Sequence, residues 1–209
     1  MNVKKHAHST RTGTPANRSR KPAISAEDSA DLWRRAHTVM DGVTPLGTDC
    51  GLLCGARCCA GGPLDGMLLF PGEEMRYQDT TLPANWVLRE SGIRLPASGA
   101  SVWLLVCTGT CDRARRPLAC RVFPLLPRVD ARGGLRVAPD LRALSTCPLL
   151  HDKEAPRIRP AFVRAVEEAF SEVVRVQGVV ELLRLLQEEN REISRFFRQD
   201  GVRPPEQGV

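Results

Sequence analysis

The chain has 209 residues, enough for one substantial core or a core with a small appendage. No apolar run is long enough to span a bilayer, and one tyrosine, three tryptophans and six phenylalanines make a poor stacking platform for single-stranded nucleic acid. The net charge of +6 resides in residues 1–24, which carry Lys4, Lys5, Arg11, Arg18, Arg20 and Lys21 and no acid, while the remainder balances 24 basic against 24 acidic residues.

In chain order, residues 1–24 read as a disordered basic tail without the apolar segment of a secretory signal. His6 and His8 belong to this tail and read as solvated. Such a tail could touch nucleic acid or an anionic surface, but a solvated leader is the expected reading, with no membrane partner and a cytoplasmic location. A helix is expected to begin at Ser25, where Ser25-Ala-Glu-Asp28 resembles a capping box with Asp in the place of Glu. Ala30, Leu32, Trp33, Ala36, Val39 and Met40 give it apolar positions, and Gly42 and Pro45 end it. Residues 46–66 are glycine-rich and hold the first cysteines. Gly51 and Gly55 each follow a cysteine, which suits a loop wrapped around a site, although spacings of four also fit one helical face.

Residues 67–70 read as a short strand, and Pro71-Gly-Glu-Glu74 as a helix start. Residues 78–100 read as irregular. Residues 102–107 read as a strand delivering Cys107, and 122–126 and 135–137 as short strands around a Gly133-Gly134 turn. Helical spacing returns from Pro160 to about Val176 and from Val179 to Phe197, with Gly201 and Pro204-Pro205 as a stop. An antiparallel helical pair is expected there, packed on the body and open to a protein partner. The fold class is α+β: an irregular cysteine-rich metal-binding domain with short strands, an N-terminal helix and a C-terminal helical pair. The expected divisions are a tail (1–24), a cysteine-cluster domain with its leading helix (25–158) and the helical pair (159–200).

Chemistry is carried by the eight cysteines. Cys50, Cys54, Cys58 and Cys59 fall within ten residues as C-x3-C-x3-C-C, and Cys107, Cys111 and Cys120 follow as C-x3-C-x8-C, then Cys147-Pro148. Cytosolic thiols are kept reduced, so a cluster of them points to metal ligation and not to disulfides. Zinc and iron–sulfur sites both need about four soft thiolate ligands, and short spacings lower the entropy of gathering them. All eight cysteines are therefore metal-ligand candidates. Two groups of four would suit two centres, but a division mixing the two stretches fits equally. Sulfurs on one tetrahedral zinc lie ~3.8 Å apart, awkward for the adjacent Cys58 and Cys59, so an iron–sulfur cluster is preferred to zinc. Arg57, Arg113, Arg115, Arg116 and Arg121 lie near cysteines in sequence and would favour the thiolate form. His151, four residues after Cys147, reads as an exposed histidine.

The run CGLLCGARCC, followed by GMLLFPGEE and by RPLACRVFPLLP, resembles the YkgJ-type cysteine-cluster family, described as a zinc- or iron-chelating domain. The family's second hallmark is matched by Arg116-Pro117-Leu-Ala-Cys120-Arg121-Val-Phe123-Pro124. The first interval here is three residues, where the family signature has two. The resemblance covers roughly residues 46–150. It implies a metal site with Cys50, Cys54, Cys58, Cys59, Cys111 and Cys120 as the leading cofactor ligands. Some proteins resembling the family are described as lysine methylases, so a cluster-dependent redox or methyl-transfer enzyme is one alternative. A thiol redox sensor built on Cys58 and Cys59 is another.

Overall fold

The computed structural model describes residues 24–199 apart from 61, 63, 64, 79 and 110. The expected disordered tail, Ile24 excepted, and the stop at Gly201 and Pro204-Pro205 lie outside the described residues. Among the described residues the fold is mixed α+β, with two small antiparallel sheets.

Helix α1 (Ala26–Val39) starts as its sequence dictates. Ser25 Oγ accepts from the Asp28 N–H at 3.1 Å and donates to the Asp28 carboxylate at 2.7 Å, a cap that stabilises by about 1 kcal/mol. Its inward face is Leu32, Trp33, Ala36 and His37, with Met40 buried just beyond. The 46–66 region is neither a plain loop nor one continuous helical face. A single turn, α2 (Gly51–Cys54), ends at Gly55 in the left-handed conformation (φ 61°), Ala56 follows there too (φ 54°), and a 3-10 turn spans Arg57–Cys59.

The first sheet has the order β1-β3-β2, from β1 (Gly66–Leu68), β2 (Trp86–Arg94) and β3 (Ser101–Cys107). Met67 and Leu88 flank Leu105 in register, and Trp86 pairs with Cys107. Strand β2 corrects the expectation that residues 78–100 are irregular. It is an edge strand whose exposed positions include Arg89 and Glu90, and its register shifts between Glu90 and Arg94 around Gly92 (φ 82°), so apolar alternation is weak. The helix expected at Pro71 begins later, as α3 (Met75–Gln78).

The expected strand over 122–126 is also corrected. Helix α4 (Leu118–Val122) occupies its start, the Phe123–Pro124 peptide bond is cis, and β4 (Leu125–Val129) begins after it. Strand β4 pairs with β5 (Leu135–Pro139) in a hairpin closed at Asp130, whose carboxylate accepts from the Arg132 and Gly134 N–H groups, both at 2.8 Å. A 3-10 turn over Leu141–Ala143 leads to α5 (Pro148–His151), then α6 (Pro160–Val173) and α7 (Val179–Gln199).

The C-terminal helices differ from the expected antiparallel pair in their partners. Helix α6 lies mainly along α1, and α7 mainly along β4 and the Leu141–Ala143 turn. Apolar periodicity marks a buried face but does not name what covers it. One core runs through α1, α4, β4, α6 and α7, with Phe70 edge-on to Phe170 at 5.0 Å. Phe162 and Phe170 are fully buried, worth ~2–3 kcal/mol each. Two smaller apolar clusters sit apart from it. One joins Leu69, Tyr77, Trp86 and Leu105, with Cys107 and Cys111 against them. The other joins Ala143, Cys147, Leu149 and Leu150, with Cys50 and Phe123 against them. No helix among the described residues is long and apolar enough to cross a membrane.

Candidate metal centre

The cysteines reach one region from separate stretches of chain. Cys50 and Cys54 open and close α2, and Cys58 and Cys59 sit in the 3-10 turn after the left-handed Gly55-Ala56 step. Cys107 ends β3, and Cys111 follows in the loop beyond it. Cys120 lies in α4, and Cys147 caps α5. Cys58 is exposed, Cys59 and Cys147 are buried, and the other five are intermediate.

Together they line two adjoining cavities of about 30 Å³ each. Cys50, Cys54 and Cys147 line only the first, and Cys59, Cys107 and Cys111 only the second. Cys58 and Cys120 line both, as do Arg116 and Phe123. Thus Cys50, Cys54, Cys58, Cys59, Cys111 and Cys120 are brought together, and Cys107 and Cys147 join them. In this conformation no three His, Cys, Asp or Glu side chains among the described residues stand as a formed metal-binding group.

The thiols perturb one another. The neighbouring Cys59 thiol holds the exposed Cys58 below the ordinary thiol value. Cys111 pulls Cys59 down, but Cys58 and burial outweigh that and leave it raised. Cys111 is raised strongly, first by its bond to Cys59 and then by burial, against the pull of Arg116. Burial raises Cys50 and Cys107, with Arg113 and Arg116 respectively opposing it. Burial pushes Cys120 well up and Cys147 to about 11.

The arginines near the cysteines in sequence have different jobs in space. Arg116 Nε donates to the Cys111 sulfur at 3.3 Å and Nη2 to its carbonyl at 3.2 Å, and Arg113 lines the first cavity. Arg121 is buried and contributes structure. It donates to the carbonyls of His37 at 3.1 Å, Arg116 at 3.1 Å and Ala114, and to Asp41 at 2.6 Å. Arg115 covers the Trp86 ring at 5.7 Å, and Arg57 is exposed. His151 is exposed and lines neither cavity.

Sequence reasoning missed the layer behind the site. Glu73 is fully buried, and its Oε1 accepts from the Leu118 N–H at 2.6 Å and shares a hydrogen bond with His37 Nε2 at 2.8 Å. Leu118 opens the helix that carries Cys120, so Glu73 fixes that helix against α1. The one signal available was His37 standing one turn after the apolar Trp33. Compared with known proteins, the chain matches no family model, no curated protein and no solved structure.

Proposed function

We propose that this protein holds metal through its clustered cysteine thiolates, as the resemblance to the YkgJ-type family implies, with an iron–sulfur cluster preferred to zinc. One observation carries the metal reading: eight cysteines from widely separated stretches line two adjoining cavities. Buried thiols packed merely as small apolar groups have no reason to face shared cavities beside two arginines. Metal binding would replace their protons, with the side chains turned toward the ion. Arg113 and Arg116 supply positive charge to offset thiolates, and this favours a cluster, whose properties depend on such neighbours. A reducing cytoplasmic setting belongs to the same reading, because it keeps the thiols available. A protein partner at the C-terminal helices is a separate proposal, for which Phe196 on α7 is 63% exposed.

The test is an anaerobic preparation with visible absorption and analysis of iron, sulfide and zinc. Brown protein that bleaches in air supports the cluster. Colourless protein with stoichiometric zinc and neither iron nor sulfide overturns the cluster and keeps the metal site. Metal-free protein in every preparation overturns both.

A thiol redox sensor is favoured by one specific feature, the exposed Cys58 with its lowered pKa beside Cys59. Peroxide would take two electrons from Cys58 and a neighbouring thiol, forming a disulfide and two waters. Mass spectrometry after mild peroxide treatment would find Cys58 oxidised first, and uniform oxidation of all eight would remove this reading.

A further inference from the structure

The eight cysteines form two stretches in sequence, 50–59 and 107–147, but space divides them differently. Cys147 leaves its stretch to join Cys50 in the small apolar cluster under α5. Cys107 and Cys111 share the other small cluster, under Tyr77 and Trp86. The cavities repeat this division, with three cysteines belonging to each alone.

Cys58 and Cys120 line both cavities. Cys59 lines only the second, and adjacent cysteines crowd one small tetrahedral site, so Cys58 belongs with Cys50, Cys54 and Cys147. Cys120 then completes the second group with Cys59, Cys107 and Cys111. Each group then holds four cysteines, the number that both a structural zinc and a cubane cluster require.

We infer that the protein builds two four-thiolate metal centres side by side, one from Cys50, Cys54, Cys58 and Cys147, the other from Cys59, Cys107, Cys111 and Cys120. This rests on the reading of the cysteines as metal ligands. It also removes the crowding of the adjacent pair: Cys58 and Cys59 face different centres and form the covalent joint between them. A divalent ion with four thiolates carries a net charge of −2, so two centres in contact repel. Arg116, which lines both cavities and is bonded to Cys111, stands where it attenuates that repulsion.

The experiment uses the full chain, freed of metal without oxygen and titrated with cadmium-113 ions. Thiolate-to-cadmium absorption is expected to rise to an end point of two ions per chain. Proton–cadmium correlation should then connect one resonance to the β-protons of Cys50, Cys54, Cys58 and Cys147 and the other to those of the remaining four. No variant is needed, so loss of folding cannot confuse the result. An end point of one ion overturns the two-centre inference while leaving metal binding intact. So does a pattern in which Cys58 and Cys59 couple to the same ion, or in which Cys147 couples to none. Absence of any thiolate–cadmium absorption removes the underlying metal-binding reading itself.

Discussion

Glu73 Oε1 is a junction for three parts of the chain, because it joins its own loop to His37 of α1 and to the first N–H of α4. Its other oxygen is buried without a hydrogen-bond partner among the described residues. Replacing it by alanine leaves the Leu118 N–H and the His37 ring unpaired in the interior. Glu73→Ala is expected to cost ~3–5 kcal/mol, read as a fall in the urea midpoint, and, if the cysteines hold metal, to weaken its retention at Cys120. Backbone conformation sets a second test. Gly55 is left-handed with open space where a Cβ would go, so Gly55→Ala should cost ~1–2 kcal/mol from conformation alone. Gly178 is left-handed too (φ 87°), but a Cβ there would meet Pro71 Cγ at 3.1 Å. Gly178→Ala should therefore lower the melting temperature further than Gly55→Ala.

Among the elements, α7 is fastened at its start by Glu181. Its carboxylate accepts from the Ala97 N–H at 2.6 Å and the Ser98 N–H at 2.9 Å, which ties the helix to the turn between β2 and β3. Against the burial that would raise it, these bonds hold the Glu181 carboxyl below its ordinary value. A depressed carboxyl contributes stability that is complete above its unfolded value and fades as pH falls through its folded one. Wild type should exceed Glu181→Gln by at most ~0.5–1 kcal/mol near neutral pH, because solvent screens this carboxylate, with the gap closing as pH falls below the ordinary carboxylate range in urea titrations. Elements fixed by neighbours in sequence could be read in advance. The cap of α1 needs only Ser25 and Asp28, β3 is the central strand and is apolar, and Gly133 marks the hairpin turn. Strand β2 could not be read, because its edge position puts polar residues where alternation would show. Helix α4 was hidden in an apolar run, Val122 through Leu126, that a helix end and a strand start share. The cysteines were visible as donors, but their grouping was not, since Cys147 reaches Cys50 only through the packing of α5.

At the scale of the molecule, stability is unevenly distributed. The main core spans α1, α4, β4, α6 and α7, while Cys50, Cys107, Cys111 and Cys147 rest on two small clusters beside it. If the cysteines hold metal, anaerobic chelation should leave the helical circular dichroism nearly unchanged. Amide exchange should quicken in residues 50–59 and 107–120 and stay slow in α1 and α6. The pairing of α1 with α6 also has a consequence in time. Helix α1 leaves the ribosome before every cysteine, and α6, which covers it, leaves after all of them. Arg121 and Glu73 anchor the cysteine-bearing segments to α1, so those segments have no fixed support until the C-terminal helices have emerged. If the cysteines hold metal, loading is then a step that follows the synthesis of α6. A chain ending at residue 158 contains every cysteine, yet it is expected to emerge with accessible thiols and to retain no metal.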